Sequence, residues 1–252
     1  MTIQDSSIDT ARRVQSLIDQ VFVFAEMSGD IDDNPVTGLS KVLKRHSKKN
    51  YPAITNDDQK LGLLLNQIDN HPARMSSAAL QIVALTFVRH SGIRLAEWSE
   101  IDWEQALWTI PAHRMKVSRN GDLAIPLAHQ TIAAFKAIHH ITGQHRYVMT
   151  TGIPKRGKVA PVSDGTLNKT LESCVPRNEH VVHSFRQTAY TALMEQGFDL
   201  EAIKLQMHHA KGGIQGIYDK SDLLQKRSEM MQWYADYLDK CRKVAHDNQT
   251  ET

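Results

Sequence analysis

Cysteine and net charge are what this sequence has least of. The chain has 252 residues and only two cysteines, Cys174 and Cys241, whose separation matches no metal-binding or redox spacing. We expect them to be reduced thiols, as is typical of a cytoplasmic protein. The formal net charge is only +2. Nucleic-acid binding therefore cannot be argued from bulk charge and must come from local basic clusters.

Long hydrophobic runs are also missing. The longest, around residues 78–88, is too short to cross a bilayer and is interrupted by Gln81. The polar start, MTIQDSS, does not resemble a secretory signal. The chain has no G-x-x-x-x-G-K-[ST] phosphate-binding loop and no acidic cluster with metal-ligand spacing. We therefore expect a cytoplasmic protein that needs neither a membrane, nor a metal ion, nor a cofactor.

One stretch of the chain concentrates the residues that suit phosphodiester chemistry. It begins with a His-x-x-Arg motif, His183 and Arg186, continues as a helical pattern, and reaches the pair His208-His209. Tyr218 follows nine residues after His209. An arginine offers forked donors to a phosphate, histidines can move protons, and a tyrosine can act as nucleophile. A lone His-x-x-Arg is usually a surface pair, but the joint spacing is far more specific.

This arrangement resembles the tyrosine recombinase (phage integrase) family. The segment SDLLQKRSEMMQWYADYLDK (221–240) resembles, more narrowly, the integrases of satellite phages and genomic islands. The resemblance implies DNA cleavage through a 3′-phosphotyrosyl intermediate, with Tyr218 as nucleophile and a hairpin lysine, Lys116, as general acid for the leaving 5′ oxygen. The implied catalytic set is Arg89, Lys116, His183, Arg186, His209 and Tyr218.

Two positions in this set have a competing neighbour. Gly92-Ile93-Arg94 matches the common family pattern G-x-R, which favours Arg94 as the first catalytic arginine. Register favours Arg89, which lies eleven residues before Glu100 in the turn W-x-x-I-D. We choose Arg89. The nine-residue count to Tyr218 selects His209 over His208.

The expected fold is mainly α-helical with a small antiparallel β-sheet, an α+β catalytic domain preceded by a partial helical core-binding segment. Residues 76–92 are predicted to form one buried helix with Arg89 at its end, and residues 129–142 an amphipathic helix. Strand-like runs at 106–112 and 121–128 flank Asn120-Gly121, which is typical of a hairpin turn. The expected domains are a core-binding remnant (1–45), a basic linker (46–54), the catalytic domain (55–240) and a polar tail (241–252).

Local basic clusters are the expected DNA contacts. The run KVLKRHSKKNYPA (41–53) has no acidic residue, and such a run is either a solvated linker or, as the resemblance implies, a segment that crosses the DNA backbone. The DNA-contact set is Lys44, Arg45, Lys48, Lys49, Arg114 and Arg119. The implied partners are double-stranded attachment-site DNA, further copies of the chain in a tetramer, and host DNA-bending and excision factors.

Three functions are compatible with these patterns. The first is an integrase that inserts or excises a mobile element. The second is a DNA-binding fragment or relic of an integrase without turnover. The third is a strand-passage enzyme resembling type IB topoisomerases, against which the island-integrase pattern of residues 221–240 argues.

Overall fold

A computed structural model of the chain describes residue 3 and residues 7–43, 51–114, 121–154, 159–208 and 220–250, without the side chains of 220–222, 249 and 250. The chain divides into two compact units, Met1–Asn50 and Tyr51–Thr252. None of the helices in the described part of the chain is long and apolar enough to cross a membrane.

The first unit contains helix α1 (Ile8–Met27) and the short helix α2 (Leu39–Val42). The side chain of Ser7 caps α1 by accepting a hydrogen bond from the backbone N–H of Thr10. The helix ends at Met27, and Ser28 follows as its C-cap residue.

The second unit is built mainly from helices around a small sheet. Its helices are α3 (Asp58–Asp69), α4 (Arg74–Thr86), α5 (His90–Arg94), α6 (His129–Thr142), α7 (Thr166–Glu172), α8 (Phe185–Glu195), α9 (Leu200–Gln206) and α10 (Lys220–Thr250). The strands are β1 (Ile101–Asp102), β2 (Leu107–Ile110) and β3 (Leu123–Pro126), antiparallel in the order β1-β2-β3. The expected fold class is confirmed, and β1 is an addition to the predicted hairpin.

Helix α10 packs along α3 within its own unit, and its buried hydrophobic side chains are those of Met230, Met231, Tyr234, Ala235, Leu238, Cys241 and Ala245. Gly62 in α3 allows close approach, because a Cβ atom there would overlap the carbonyl of Cys241. The helix continues without a break through residue 240, after which a polar tail is expected from the sequence. Cys241 and Ala245 are buried in the second unit instead.

The prediction of a single helix over residues 76–92 is wrong, because the helix is interrupted at Phe87. Helix α4 ends at Thr86, and Phe87 adopts a left-handed backbone conformation with φ of 43°. Arg89 then has extended backbone angles directly before the short helix α5. Arg89 lines the cavity of the site described next.

Candidate active site

Arg186 joins the two segments that form the site. Its side chain is buried on α8, and its guanidinium donates from Nη1 to the carbonyl oxygen of Phe87 and from Nη2 to that of Met207, both at 2.7 Å. The first carbonyl lies at the break after α4 and the second just after α9. Burial lowers the pKa of Arg186 to about 10, with a further contribution from the positive charge of Arg89. The group remains protonated at neutral pH, so a buried positive charge is fixed between the two segments.

The segment after α9 brings a histidine to the same place. His208 is 6% exposed and has a left-handed backbone with φ of 53°. Neither ring nitrogen makes a hydrogen bond of normal geometry to the residues that the structure describes, although the backbone of Gly121 lies close enough to the ring to affect its pKa. Burial lowers the pKa of His208, as do the nearby charges of Arg89 and Arg186, while the backbone of Gly121 opposes part of that shift. The ring is therefore held mainly neutral, with unused hydrogen-bonding capacity.

Arg89, Arg186 and His208 line one small cavity of about 50 Å³. The other described residues around it are Val88, Ser91, Gly92, Ile110, Arg114, Leu123, Gln206 and Met207. No acidic side chain is among them. The backbone carbonyl of Arg89 accepts from the N–H of Gly92 at 2.7 Å, but its side chain makes neither a hydrogen bond nor an ion pair within the described ranges, so its guanidinium is available to a ligand. A small cavity with this lining suits an anion such as a phosphate.

His183 is absent from the lining of this cavity and lines a separate one together with Tyr51 and His90. It belongs to the 3₁₀ turn Val182–Ser184 before α8, and its ring meets that of Tyr51 edge-on with centroids 5.7 Å apart. Partial burial lowers the pKa of His183, and the positive charges of Arg186, Arg89 and His90 lower it further. A neutral imidazole can accept a proton, so the position suits a general base.

Arg94, the competitor of Arg89, is bonded elsewhere. Its Nη1 donates to the carbonyl of Val162 at 3.2 Å, and its Nε lies 3.3 Å from Oδ1 of Asp164. Arg94 is absent from the lining of the cavity. The two arginines therefore differ in their surroundings: one faces the cavity, and the other joins α5 to the segment before α7.

Arg114, an expected DNA contact, has a carboxylate partner in this structure. Its Nη2 lies 2.6 Å from Oε2 of Glu100, and its Nη1 donates to the carbonyl of Leu95. Glu100 also accepts from the indole N–H of Trp108 at 3.1 Å. Burial raises the pKa of Glu100, although Trp108 and Arg114 both oppose the shift. The contacts with Glu100 and Leu95 hold the fold together, and the Arg114 side chain also borders the cavity.

Several sequence-predicted residues lie outside the described residues. These are Lys44, Arg45, Lys48, Lys49, Lys116, Arg119, His209 and Tyr218. The sequence pattern does not select His208, which the cavity includes, because the spacing to Tyr218 favours its neighbour. The His208-His209 pair is the available signal, and only the backbone turn after α9 brings His208 into the cavity lining. Among the described residues, no three His, Cys, Asp or Glu side chains form a group that could hold a metal ion.

Comparison with known proteins places the chain among recombination proteins. The model of the phage integrase family matches residues 55–224. Prophage integrase IntA of Escherichia coli K12 is 31% identical over 234 residues, which cover 92% of this chain and 55% of that protein. The integrase of Enterobacteria phage P4 is 30% identical over 247 residues, covering 92% of this chain and 55% of the phage protein. The chain thus spans about half the length of these relatives.

Solved structures share the fold at lower identity. The Tn1549 transposon integrase in complex with circular intermediate DNA superposes with a TM-score of 0.58 and 17% identity, over 87% of this chain and 75% of that one. A lambda integrase dimer bound to a COC′ core site gives 0.57 and 16%, over 89% and 75%. A lambda integrase tetramer bound to a Holliday junction gives 0.59 and 15%, over 90% and 62%. These likenesses establish the fold.

Proposed function

Because the chain belongs to the phage integrase family, we propose that it cleaves and rejoins DNA at specific sites through a covalent link between Tyr218 and a DNA 3′ phosphate. The observation that carries the proposal is the small cavity lined by Arg89, Arg186 and His208, with no acid among its described lining residues. Such a cavity suits the scissile phosphate. The product of the reaction would be the integrated or excised form of a mobile element.

Arg89 and Arg186 are the proposed phosphate clamp. During attack by a tyrosine, negative charge builds on the two non-bridging oxygens of a pentacoordinate phosphorus, and fixed positive donors lower the energy of that state. Arg186 is held by the carbonyls of Phe87 and Met207, so it needs little reorganisation when the phosphate arrives. The bonds of Arg94 to Val162 and Asp164 support assigning the clamp to Arg89 instead.

The proton transfers are assigned to two further groups. We propose that His183 accepts the proton of the Tyr218 hydroxyl, since its lowered pKa keeps it neutral and able to do so. Lys116 is proposed to protonate the leaving 5′ oxygen. The resulting phosphotyrosyl link conserves the energy of the phosphodiester bond, so attack by a 5′ hydroxyl can rejoin the strand without ATP.

The second histidine of the site is proposed to be one of the adjacent pair, and His208 is the better supported. Its ring lines the cavity and has unused nitrogens, whereas the case for His209 rests on the spacing to Tyr218. A neutral ring can donate one hydrogen bond to a non-bridging oxygen. Comparing His208→Asn with His209→Asn assigns the role to whichever variant slows adduct formation more.

DNA and further copies of the chain are the proposed partners. The lambda integrase and Tn1549 integrase structures contain DNA, and one lambda structure is a tetramer on a Holliday junction. By family likeness, we propose that this chain also acts as a tetramer on attachment-site DNA, with host bending and excision factors. The linker cations Lys44, Arg45, Lys48 and Lys49 are proposed to contact phosphates.

The test of the function is a covalent trap. Attachment-site DNA is nicked close to the cleavage position, so that the short 5′ fragment diffuses away and the phosphotyrosyl adduct accumulates. A shifted band on a denaturing gel is the expected result, and Tyr218→Phe should remove it while leaving DNA binding intact. Adduct that persists in Tyr218→Phe would exclude Tyr218 as nucleophile. Binding with no adduct in the wild type would support the alternative of a DNA-binding protein without turnover.

A further inference from the structure

Arg227 is a buried arginine that the proposed chemistry does not use. It lies on α10 and is 4% exposed. Its Nε and Nη2 both donate to Oε1 of Gln206, at 3.1 and 2.5 Å, and Nη2 also donates to the carbonyl of Ala124 in β3. Burial lowers the pKa of Arg227 to about 10, so the group is charged at neutral pH. No acidic side chain among those that the structure describes accepts a bond from it.

Gln206, the partner of Arg227, connects this arginine to the cavity. It is the last residue of α9, is fully buried, and belongs to the cavity lining two residues before His208. Its Nε2 donates to the carbonyl of Thr86, the last residue of α4, at 3.4 Å. Arg227 therefore fixes an amide that itself joins the ends of α4 and α9.

This connection runs beside the one made by Arg186. Gln206 joins Thr86 to the end of α9, and Arg186 joins the next residue along each segment, Phe87 and Met207. Each segment has a left-handed residue at its turn, Phe87 with φ of 43° and His208 with φ of 53°. Such conformations are unfavourable for non-glycine residues and persist only where surrounding contacts hold them. Two adjacent cross-links supply those contacts.

We propose that Arg227 is a positioning residue: acting through Gln206, it holds the turn after α9 so that the His208 ring stays in the cavity. This inference rests on the proposed function. Arginine suits the task because its planar fork can donate to the Gln206 amide and the Ala124 carbonyl together, which a single ammonium cannot do with the same geometry. Through the same fork, Arg227 connects β3 and α10 to the end of α9.

The first experiment measures single-turnover adduct formation by Arg227→Met at saturating DNA. We expect the rate to fall at least about tenfold, because small displacements of a reacting group cost large factors in rate, while the Kd for DNA stays within about threefold. The matched control is Arg242→Met on the same helix. Arg242 is not in the cavity lining, and its Nε lies 2.7 Å from Oδ2 of Asp69. That control should lower the Tm and leave the rate unchanged. Equal rates for the folded Arg227→Met variant and the control would overturn the proposal.

A double-mutant comparison tests whether Arg227 acts through His208. In the His208→Asn background, Arg227→Met should cause little further loss, because the positioned ring is already gone. Losses that multiply would show that Arg227 acts independently of His208 and would overturn the proposal. Arg227→Lys keeps the buried charge and one bond, and it provides a variant that folds if the methionine variant does not. A folded lysine variant with the wild-type rate would overturn the role of the fork.

The imidazole signals of His208 provide a readout that does not depend on activity. In NMR spectra of histidine-labelled protein, Arg227→Met or Arg227→Lys should shift the His208 signals, and Arg242→Met should not. If the wild type forms no adduct while the shift is observed, the recombinase proposal fails and the positioning inference stands. Unchanged His208 signals in the Arg227 variants would overturn the inference even if the wild type is active.

Discussion

Arginines are held in two different ways in two regions of the second unit. Near the cavity, Arg186 and Arg227 donate to main-chain carbonyl or side-chain amide oxygens. By contrast, Arg114, which borders the cavity beside the sheet, and Arg242, on the outer part of α10, donate to carboxylates at 2.6 and 2.7 Å. Both kinds of partner fix a guanidinium, but only a carboxylate cancels its charge.

The difference indicates what each region does. Neutral acceptors hold an arginine in place and leave its field available to an anionic ligand in a poorly screened environment. A carboxylate partner instead uses the arginine to join parts of the fold. Arg89 is the extreme case, since its side chain makes no hydrogen bond or ion pair within the described residues and lines the cavity. Under the proposed function, Arg89 and Arg186 would hold the phosphate, whereas Arg114 and Arg242 contribute to stability.

The largest expected effect comes from removing the cavity arginine. Arg89→Ala should slow adduct formation by ~10²–10³, the usual effect of losing one donor that stabilises transition-state charge. Arg94→Ala should slow it less than about tenfold, because its bonds to Val162 and Asp164 lie away from the cavity. Both variants are assayed with the same nicked DNA at saturating protein. Loss of cleavage only in Arg94→Ala would reverse the assignment and break the comparison.

The next effect concerns stability rather than rate. Arg114→Met should lower the free energy of unfolding by about 3 kcal/mol, because it leaves the buried carboxylate of Glu100 without its cation. Burial already raises the pKa of Glu100, so the deficit should shrink as the pH falls and Glu100 becomes protonated.

Urea unfolding at pH 7 and pH 5 measures how much the free energy of unfolding of Arg114→Met falls below that of the wild type. Adding Glu100→Gln to that variant should restore part of the stability, since a neutral amide costs less to bury than an unpaired carboxylate. A variant of normal stability that binds DNA more than about tenfold more weakly would instead favour Arg114 as a phosphate contact.

Local patterns in the sequence predict most of the fold but not which side chains line the cavity. The amphipathic period of residues 129–142 gives the bounds of α6, and β2 and β3 fall within the two predicted strand-like runs. The break at Phe87 is invisible in the apolar run around it, because it depends on a hydrogen bond from Arg186, 99 residues further along the chain. The same holds for His208, whose place in the cavity follows from the turn after α9. The spacing of residues in the sequence predicts neither the interruption at Phe87 nor the position of His208.

Charge pairing is similarly a tertiary property. Arg114 lies in a basic stretch and is predicted to contact DNA, yet a carboxylate fourteen residues earlier in the chain reaches its guanidinium once β1 and β2 pair. The choice of Arg89 over Arg94 rests on register with a family pattern. That choice remains a prediction that the cavity supports.

A buried histidine contrasts with the buried arginines, because its burial favours the neutral form of the ring. His180 is 1% exposed, and its Nδ1 accepts the backbone N–H of Ile54 at 3.1 Å, which a doubly protonated ring could not do. Burial lowers the pKa of His180 from 6.5 to about 4. Because the folded-state pKa is the lower one, its stabilising contribution is complete above about pH 6.5 and is lost as the pH falls towards 4.

The expected loss from His180 is roughly 2 kcal/mol between pH 7 and pH 5. His180→Asn supplies the control, since its amide oxygen can accept the Ile54 N–H and does not titrate. The free energy of unfolding should depend less steeply on pH in this variant than in the wild type. Parallel pH curves for the two proteins would mean that His180 titrates normally in the fold.

The smallest effect is expected for the lysines of the basic linker, which have no acidic residue nearby in the sequence and are proposed to contact DNA phosphates. Neutralising Lys48 and Lys49 to Gln should make the slope of log affinity against log salt less negative by about 0.9 for each DNA phosphate that a lysine no longer neutralises. Lys204→Gln is the matched control, because Lys204 already pairs with Glu201 at 2.8 Å. The control should leave the slope unchanged, since an exposed pair of this kind contributes little and releases no DNA counterion. If all three substitutions leave the slope unchanged, Lys48 and Lys49 do not contact phosphates, and positive charge at the cavity must supply more of the electrostatic part of DNA binding.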